Sequence, residues 1–181
     1  QNNFIILVNK MDADLKKHVV KTGTTILSIV CKDGVIMAGD NRASLGGQLV
    51  ANKDLQKVFP INDYLVISVC GHAAEAMKAS KLLAAELKLK ELRSKKRSSV
   101  KEAASLLSNI QVAESAFILA GIDKNDGASV YEITGGLLNK VEDYAASVGS
   151  GLMYVLGYLE RQWKKDLTIE EGIELAKEAL K

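Results

Sequence analysis

Thr24 follows a glycine and opens an apolar stretch that runs from Thr25 to Val30. Further along come Asp40-Asn41-Arg42 and a lone lysine, Lys57, inside a second apolar run. A threonine after a glycine matters because cutting the Gly23–Thr24 bond would leave a hydroxyl and a free α-amine on one residue. A hydroxyl is a weak nucleophile near neutral pH and needs a base beside it. An α-amine titrates at about 7.7–8.0, so the freed nitrogen of Thr24 could take the proton of its own Oγ. On this reading residues 1–23 are a removable leader and the remainder is the enzyme. Glycine at position 23 suits self-cleavage, because it has no side chain to block attack on its carbonyl and it tolerates a tight turn.

The chain has 181 residues, enough for about one domain. Its 24 basic and 22 acidic side chains leave a net charge of +2, which gives no general pull toward nucleic acid or a membrane surface. The basic run Arg93, Lys95, Lys96, Arg97 has no interleaved aromatics and reads as a solvated helix end. Cys31 and Cys70 lie in apolar strand-like runs and read as buried thiols rather than a disulfide. The patch Phe4-Ile5-Ile6-Leu7-Val8 is too short and too closely followed by charge for a secretory signal or a bilayer span. No metal or cofactor is called for, and the default location is cytoplasmic.

The elements that must position Thr24, Asp40 and Lys57 follow from pattern. Thr25–Val30 and Val35–Ala38 flank Asp33-Gly34 and predict a hairpin whose end is irregular at Gly39-Asp40. Leu49-Val50 and Lys57-Val58-Phe59 read as a strand pair closed by the one proline, Pro60, and Tyr64–Cys70 reads as the next strand. Ala73–Leu92 predicts a long helix with Met77, Leu83 and Leu87 on one face. Ser99-x-x-Glu102 is a capping box for a second helix. Strands are expected at Phe117–Ile122, Ser129–Ile133 and Leu137–Val141, then a helix from Gly149-Ser150-Gly151 to about Trp163. Thr168-x-x-Glu171 caps a last helix. Residues 1–23 show no core-forming period and read as an appended arm. Strand blocks separated by helix pairs argue an α+β fold in layers, with two sheets stacked between helices.

From Gly23 onward the chain resembles the proteasome β subunits, in the form found in archaea, which are N-terminal-nucleophile (Ntn) hydrolases. The resemblance is carried by Gly23-Thr24-Thr25, the run Val35 to Ser44 around Gly39-Asp40, Lys57-Val58-Phe59 and Cys70-Gly71. Further on it is carried by Ala84 to Lys88, Leu106 to Ile110, Ala120-Gly121-Ile122-Asp123, Gly149-Ser150-Gly151 and Leu156 to Glu160. One such motif is weak; all of them in order along one chain are specific. The resemblance implies a four-layer α/β/β/α sandwich of antiparallel sheets between helical layers. It divides the chain into a propeptide, 1–23, and an Ntn-hydrolase domain, 24–181.

It also implies roles. Thr24 would be the nucleophile of a threonine endopeptidase, inactive until the leader is removed. Lys57 would be a buried cation beside it, and Asp40 the partner such an ammonium requires. The N–H of Gly71 would face an oxyanion hole, and Ser150 would bond near the threonine amine and carry protons. Positions matching the first substrate pocket are Ala43, Leu55, Val69, Ala73 and Met77, all apolar, which points to cleavage after hydrophobic residues. Ser44 would pair its backbone with an extended peptide.

The implied partners are other β subunits in a heptameric ring, α subunits, a regulatory ATPase and unfolded polypeptide substrates. The competing reading is a non-catalytic β subunit that serves structure and assembly in the same ring. Against the family pattern, Asn41 stands where a first arginine is usual. The stretch between Ile110 and Phe117 is shortened, and the family's Asp-Ser-x-Ser-Gly segment with its further strands lies beyond the last helix. The expectation is therefore a precursor whose C-terminal part is missing from the sequence.

Overall fold

A computed structural model describes residues 4–9, 25–40, 43–45, 49–52, 56–71, 73–110, 115–146 and 151–181. The strands are β1 (Phe4–Asn9), β2 (Ile26–Cys31), β3 (Gly34–Asp40), β4 (Ala43–Leu45), β5 (Leu49–Asn52), β6 (Val58–Pro60), β7 (Leu65–Gly71), β8 (Ser115–Asp123), β9 (Gly127–Thr134), β10 (Leu137–Val141) and β11 (Tyr144–Ala146). The helices are α1 (Ala73–Ser94), α2 (Val100–Asn109), α3 (Leu152–Gln162) and α4 (Ile169–Ala179).

Two sheets carry the fold. One has the order β1-β3-β2-β11 and the other β10-β9-β8-β7-β6, with β4 and β5 as a separate ribbon. Apart from β1, which runs parallel to β3, the neighbours are antiparallel. Strand alternation sorts the side chains into three apolar layers. Ile26, Val35, Met37, Val58, Val66, Ile118 and Val130 meet between the sheets. Leu65, Ile67, Phe117, Leu119 and Ile133 turn the other way, onto Leu83, Leu87, Val100 and Leu107 of α1 and α2. Leu27, Ile29 and Ile36 face Val155, Leu159 and Ala176 of α3 and α4. The result is the four-layer α/β/β/α sandwich expected from the order of elements. Each fully buried Leu or Ile contributes roughly 1.5–3 kcal/mol.

Local chemistry sets the element ends. Both capping boxes form: Ser99 and Glu102 exchange side-chain and backbone bonds at the start of α2, and Thr168 and Glu171 do the same for α4. The β2–β3 turn holds α4 against its sheet, because the N–H of Ile169 donates to Asp33 Oδ1 at 3.0 Å and the N–H of Lys32 to the carbonyl of Leu167 at 2.9 Å. Gly172 permits the close approach; a Cβ there would stand 2.5 Å from Ile36 Cδ1 and 2.7 Å from Cys31 Sγ. Cys31 and Cys70 are buried in different apolar layers, as their strand settings suggested. Burial, with the nearby carboxylate of Asp33, pushes the Cys31 thiol up to about 11.

Three elements differ from expectation. Leu49–Asn52 does not pair with the strand at Val58; it returns on Ala43–Leu45. Those two segments are near neighbours in sequence, so their pairing closes the shorter loop. Val58–Pro60 instead joins Val66–Ser68 at the sheet edge. There proline's missing N–H faces no ladder, and Asn62 turns the chain by accepting the N–H groups of Tyr64 and Leu65. On α1, Met77 is 38% exposed, and the buried face runs through Ala76, Ala79, Leu83 and Leu87. Small alanines let the helix sit close to β7, and this rotates Met77 outward. The third difference is β1, a strand in the arm where no element was expected.

Asp123 ends β8 and holds two turns at once. Its Oδ1 accepts the N–H groups of Asn125 (2.8 Å) and Asp126 (2.9 Å), and its Oδ2 accepts that of Val100 (2.8 Å), the first residue of α2. Partial burial alone would raise its pKa, but the three N–H donors together outweigh burial and hold the carboxyl below its usual range. A depressed folded pKa gives stability that is present above the unfolded value of ~3.9 and is lost as pH falls through the folded one. Asp123→Ala is expected to cost about 1–3 kcal/mol in urea denaturation at pH 7. The gap between the two proteins should close as the titration is repeated toward pH 3.

Candidate active site

Asp40 is the last residue of β3 and Lys57 stands immediately before β6, so the two belong to opposite sheets. Lys57 Nζ donates to Asp40 Oδ1 at 2.6 Å. The lysine is 3% exposed and the aspartate 21%. A buried ammonium with no partner is costly, so the pair fixes both residues and bridges the sheets at this end of the sandwich. Lys57 is held further by its own carbonyl, which accepts the N–H of Val69 at 3.0 Å. Gly39 helps the sheets close here. A Cβ at that position would lie 3.2 Å from Ile26 Cγ2 and 3.5 Å from Val58 Cγ2.

The same oxygen of Asp40 takes a second donor, the backbone N–H of Thr25, at 2.8 Å. In return, the N–H of Asp40 donates to the carbonyl of Thr25 at 3.0 Å. Thr25 is thus clamped to Asp40 through both backbone and side chain, and it also packs on the start of α3. A Cβ on Gly151 would stand 2.2 Å from Thr25 Oγ1. Sequence reasoning chose residue 24 and passed over Thr25 and Gly151. The doubled threonine and the glycine that ends Gly-Ser-Gly were the available signals.

Gly71, at the end of β7, has φ +109°, a left-handed conformation open to glycine and strained for any other residue. Val69 and Cys70 precede it in the strand, Ser115 of β8 lies opposite it, and Ala73 begins α1 just beyond. Of the pocket candidates, Val69 is buried between the sheet and α1, whereas Met77, one turn into α1, is exposed. Ala43 and Ser44 lie in β4. Gly23, Thr24, Leu55 and Ser150 lie outside the described residues. The structure therefore brings together Asp40, Lys57, Thr25 and Gly151, and sets Gly71 at the end of the strand whose Val69 N–H donates to the Lys57 carbonyl.

A cleft of about 280 Å³ lies elsewhere, lined by Ile61, Tyr64, Leu87, Lys88, Glu91 and Arg97, and includes none of these residues. Among the described residues no group of three or more His, Cys, Asp or Glu could hold a metal ion. Nor is any described helix long and apolar enough to cross a membrane.

Residues 20–181 match the family model for proteasome subunits. The chain belongs to the proteasome β subunit family. It is 38% identical over 164 residues to the proteasome subunit beta of Methanobrevibacter smithii, covering 88% of this chain and 78% of that one. It is 37% identical over 165 residues to that of Nanoarchaeum equitans, covering 87% and 83%. Against proteasome subunit beta 1 of Thermococcus onnurineus it is 38% identical over 165 residues, covering 88% and 79%.

The ion pair makes a measurable demand on stability. Asp40→Asn would leave the ammonium buried without its counter-charge and is expected to cost about 3 kcal/mol. Lys57→Met leaves a carboxylate that keeps the Thr25 N–H and some solvent, and should cost less. The double variant should fall short of the summed single costs by about 1 kcal/mol or more. Denaturant midpoints of the four proteins close this cycle.

Proposed function

We propose that this chain is the precursor of a threonine endopeptidase subunit of a proteasome ring. It would cut itself between Gly23 and Thr24 and then hydrolyse peptide bonds of unfolded polypeptides. The observation that carries the reading is the Lys57–Asp40 pair, whose carboxylate also holds the amide of Thr25. Thr24 is joined to that clamped residue by one peptide bond, so a fixed cation and a fixed acceptor lie within short reach of the candidate nucleophile.

In self-cleavage Thr24 Oγ attacks the carbonyl carbon of Gly23 and loses its proton. The C–N bond breaks, the proton passes to the nitrogen, and an ester joins Gly23 to Oγ. Water then attacks the ester carbonyl, releasing the Gly23 carboxylate and restoring the hydroxyl. The freed amine of Thr24 acts as base in later turnovers, taking the Oγ proton as the hydroxyl attacks a substrate carbonyl and returning it to the leaving amine. Lys57, charged beside the hydroxyl, favours the alkoxide and keeps the amine neutral. Gly71 supplies an N–H to the developing oxyanion from a backbone position that its left-handed φ makes specific to glycine. Ser150 would pass protons at the amine.

The apolar candidates Ala43, Leu55, Val69, Ala73 and Met77 favour cleavage after hydrophobic residues; of the two whose burial is described, Val69 is buried and Met77 is exposed and open to a substrate side chain. The partners of this reading are further β subunits, α subunits and a regulatory ATPase.

Intact mass spectrometry of the assembled protein tests it. The mass should fall by that of residues 1–23, and the new N-terminus should read Thr-Thr-Ile-Leu. Thr24→Ala should abolish the fall, and Lys57→Ala should slow it by about 10²-fold or more. A full-length mass that persists after assembly overturns the protease reading in favour of a structural subunit.

A further inference from the structure

We infer that Gly151 is a positioning residue for the nucleophile. It leaves the space in which the Thr25 side chain seats against the head of α3, and that seat fixes the strand start to which Thr24 is joined. The inference rests on the reading of Thr24 as nucleophile. A Cβ at position 151 would stand 2.2 Å from Thr25 Oγ1 and 3.2 Å from both Cβ and Cγ2 of the same residue. Three atoms of one threonine thus lie against the space that a methyl group would need.

Space, not backbone freedom, is what this glycine supplies. Gly151 has φ −85° and ψ −4°, a negative-φ conformation that residues with side chains adopt. It is also the N-cap of α3, where Ser, Thr, Asp or Asn ordinarily serves. Yet α3 has no side-chain cap bond. Any of those capping residues would bring a Cβ into the Thr25 hydroxyl.

A larger residue at 151 must move one side of the contact. The helix is the stiffer side. The Gly151 carbonyl accepts the N–H of Val155 at 3.0 Å, and Val155 and Leu159 are buried in the layer that holds Leu27 and Ile29. Thr25 precedes β2, is partly buried, and is held at this point by its two bonds to Asp40. Thr25 is therefore the side that yields, and its displacement strains those bonds and carries Thr24 away from Lys57. A misplacement of about 1 Å can cost about 10²-fold in rate. Gly172 provides a contact of similar tightness for comparison. A Cβ there would meet Ile36 Cδ1 at 2.5 Å and Cys31 Sγ at 2.7 Å, at the end of β2 far from Thr25.

The test follows the loss of residues 1–23 from the assembled full chain by intact mass against time. Gly151→Ala should slow that loss about 10²-fold. Thr25→Ala removes Oγ1 and Cγ2 but keeps both backbone bonds to Asp40. In that background Gly151→Ala should cost about tenfold or less, because the two substitutions meet in one contact. Gly172→Ala should lower the denaturant midpoint and leave the rate of cutting unchanged. An undiminished rate in Gly151→Ala overturns the proposal. So does an equal loss in Gly172→Ala, or the same loss from Gly151→Ala with and without the Thr25 side chain.

Should Gly151→Ala fail to fold, recovery of a folded, self-cutting chain on adding Thr25→Ala supports the proposal, and failure to recover overturns it. A parent chain that does not cut itself overturns the protease reading and leaves no nucleophile to position. Denaturant midpoints then decide the seat by themselves. Gly151→Ala should lower the midpoint less in the Thr25→Ala background than in the parent, and equal losses overturn the seat.

Discussion

A single carboxylate oxygen organises one end of this molecule. Asp40 Oδ1 receives the Lys57 ammonium and the Thr25 amide together. Each donor comes from a different element, and the lysine comes from the opposite sheet. Burying an ammonium to 3% exposure is unfavourable unless its charge is met at short range. The sandwich can therefore close at this end only with Asp40 in place. That requirement is what makes the site precise. The lysine is not chosen from many rotamers by a substrate; it is already fixed by the charge balance of the fold.

Glycines set the shape around that oxygen by what they leave out. Gly39 lets Ile26 and Val58 approach from the two sheets, so Lys57 can cross the gap. Gly151 leaves room for the Thr25 hydroxyl at the head of α3. Gly71 adopts a left-handed turn at the end of β7, which re-aims the backbone just before α1 begins. These three are positions where an added Cβ would meet a neighbour or strain the chain. Gly39 and Gly151 lie against Thr25 at the strand start, whereas Gly121 and Gly172 do the same work of close approach elsewhere, between layers.

Much of this was legible in the sequence because local chemistry and layer packing agreed. Ser99/Glu102 and Thr168/Glu171 announced two helix starts, and both form as reciprocal caps. The β2–β3 hairpin and the strands from β7 onward followed from β-branched runs between turn residues. Lys57 and Asp40 stood out as charges at apolar positions, and burial of one against the other is the physical content of that pattern.

What the sequence concealed was pairing. Nothing in Leu49–Asn52 says which strand it joins, because a short apolar run has no mark of its partner; loop length decided it. Met77 keeps helical spacing with Leu83, but the contact of α1 is set by alanines, whose small size carries little signal in a hydrophobic pattern. Thr25 acts through its backbone N–H, a group every residue but proline has, so only its place in the doubled threonine hinted at it.

The strand at Phe4–Asn9 was missed for a related reason, and it changes how the arm is to be understood. A segment of six apolar or neutral residues followed by a long polar stretch has no partner nearby in sequence, and a parallel pairing needs a long connection. The stretch 10–24 is that connection. Parallel pairing is what brings both of its ends to Asp40; an antiparallel β1 would have ended at Val35, at the far end of the sheet. Strand direction alone thus brings the end of β1 and the start of β2 to one end of the sandwich.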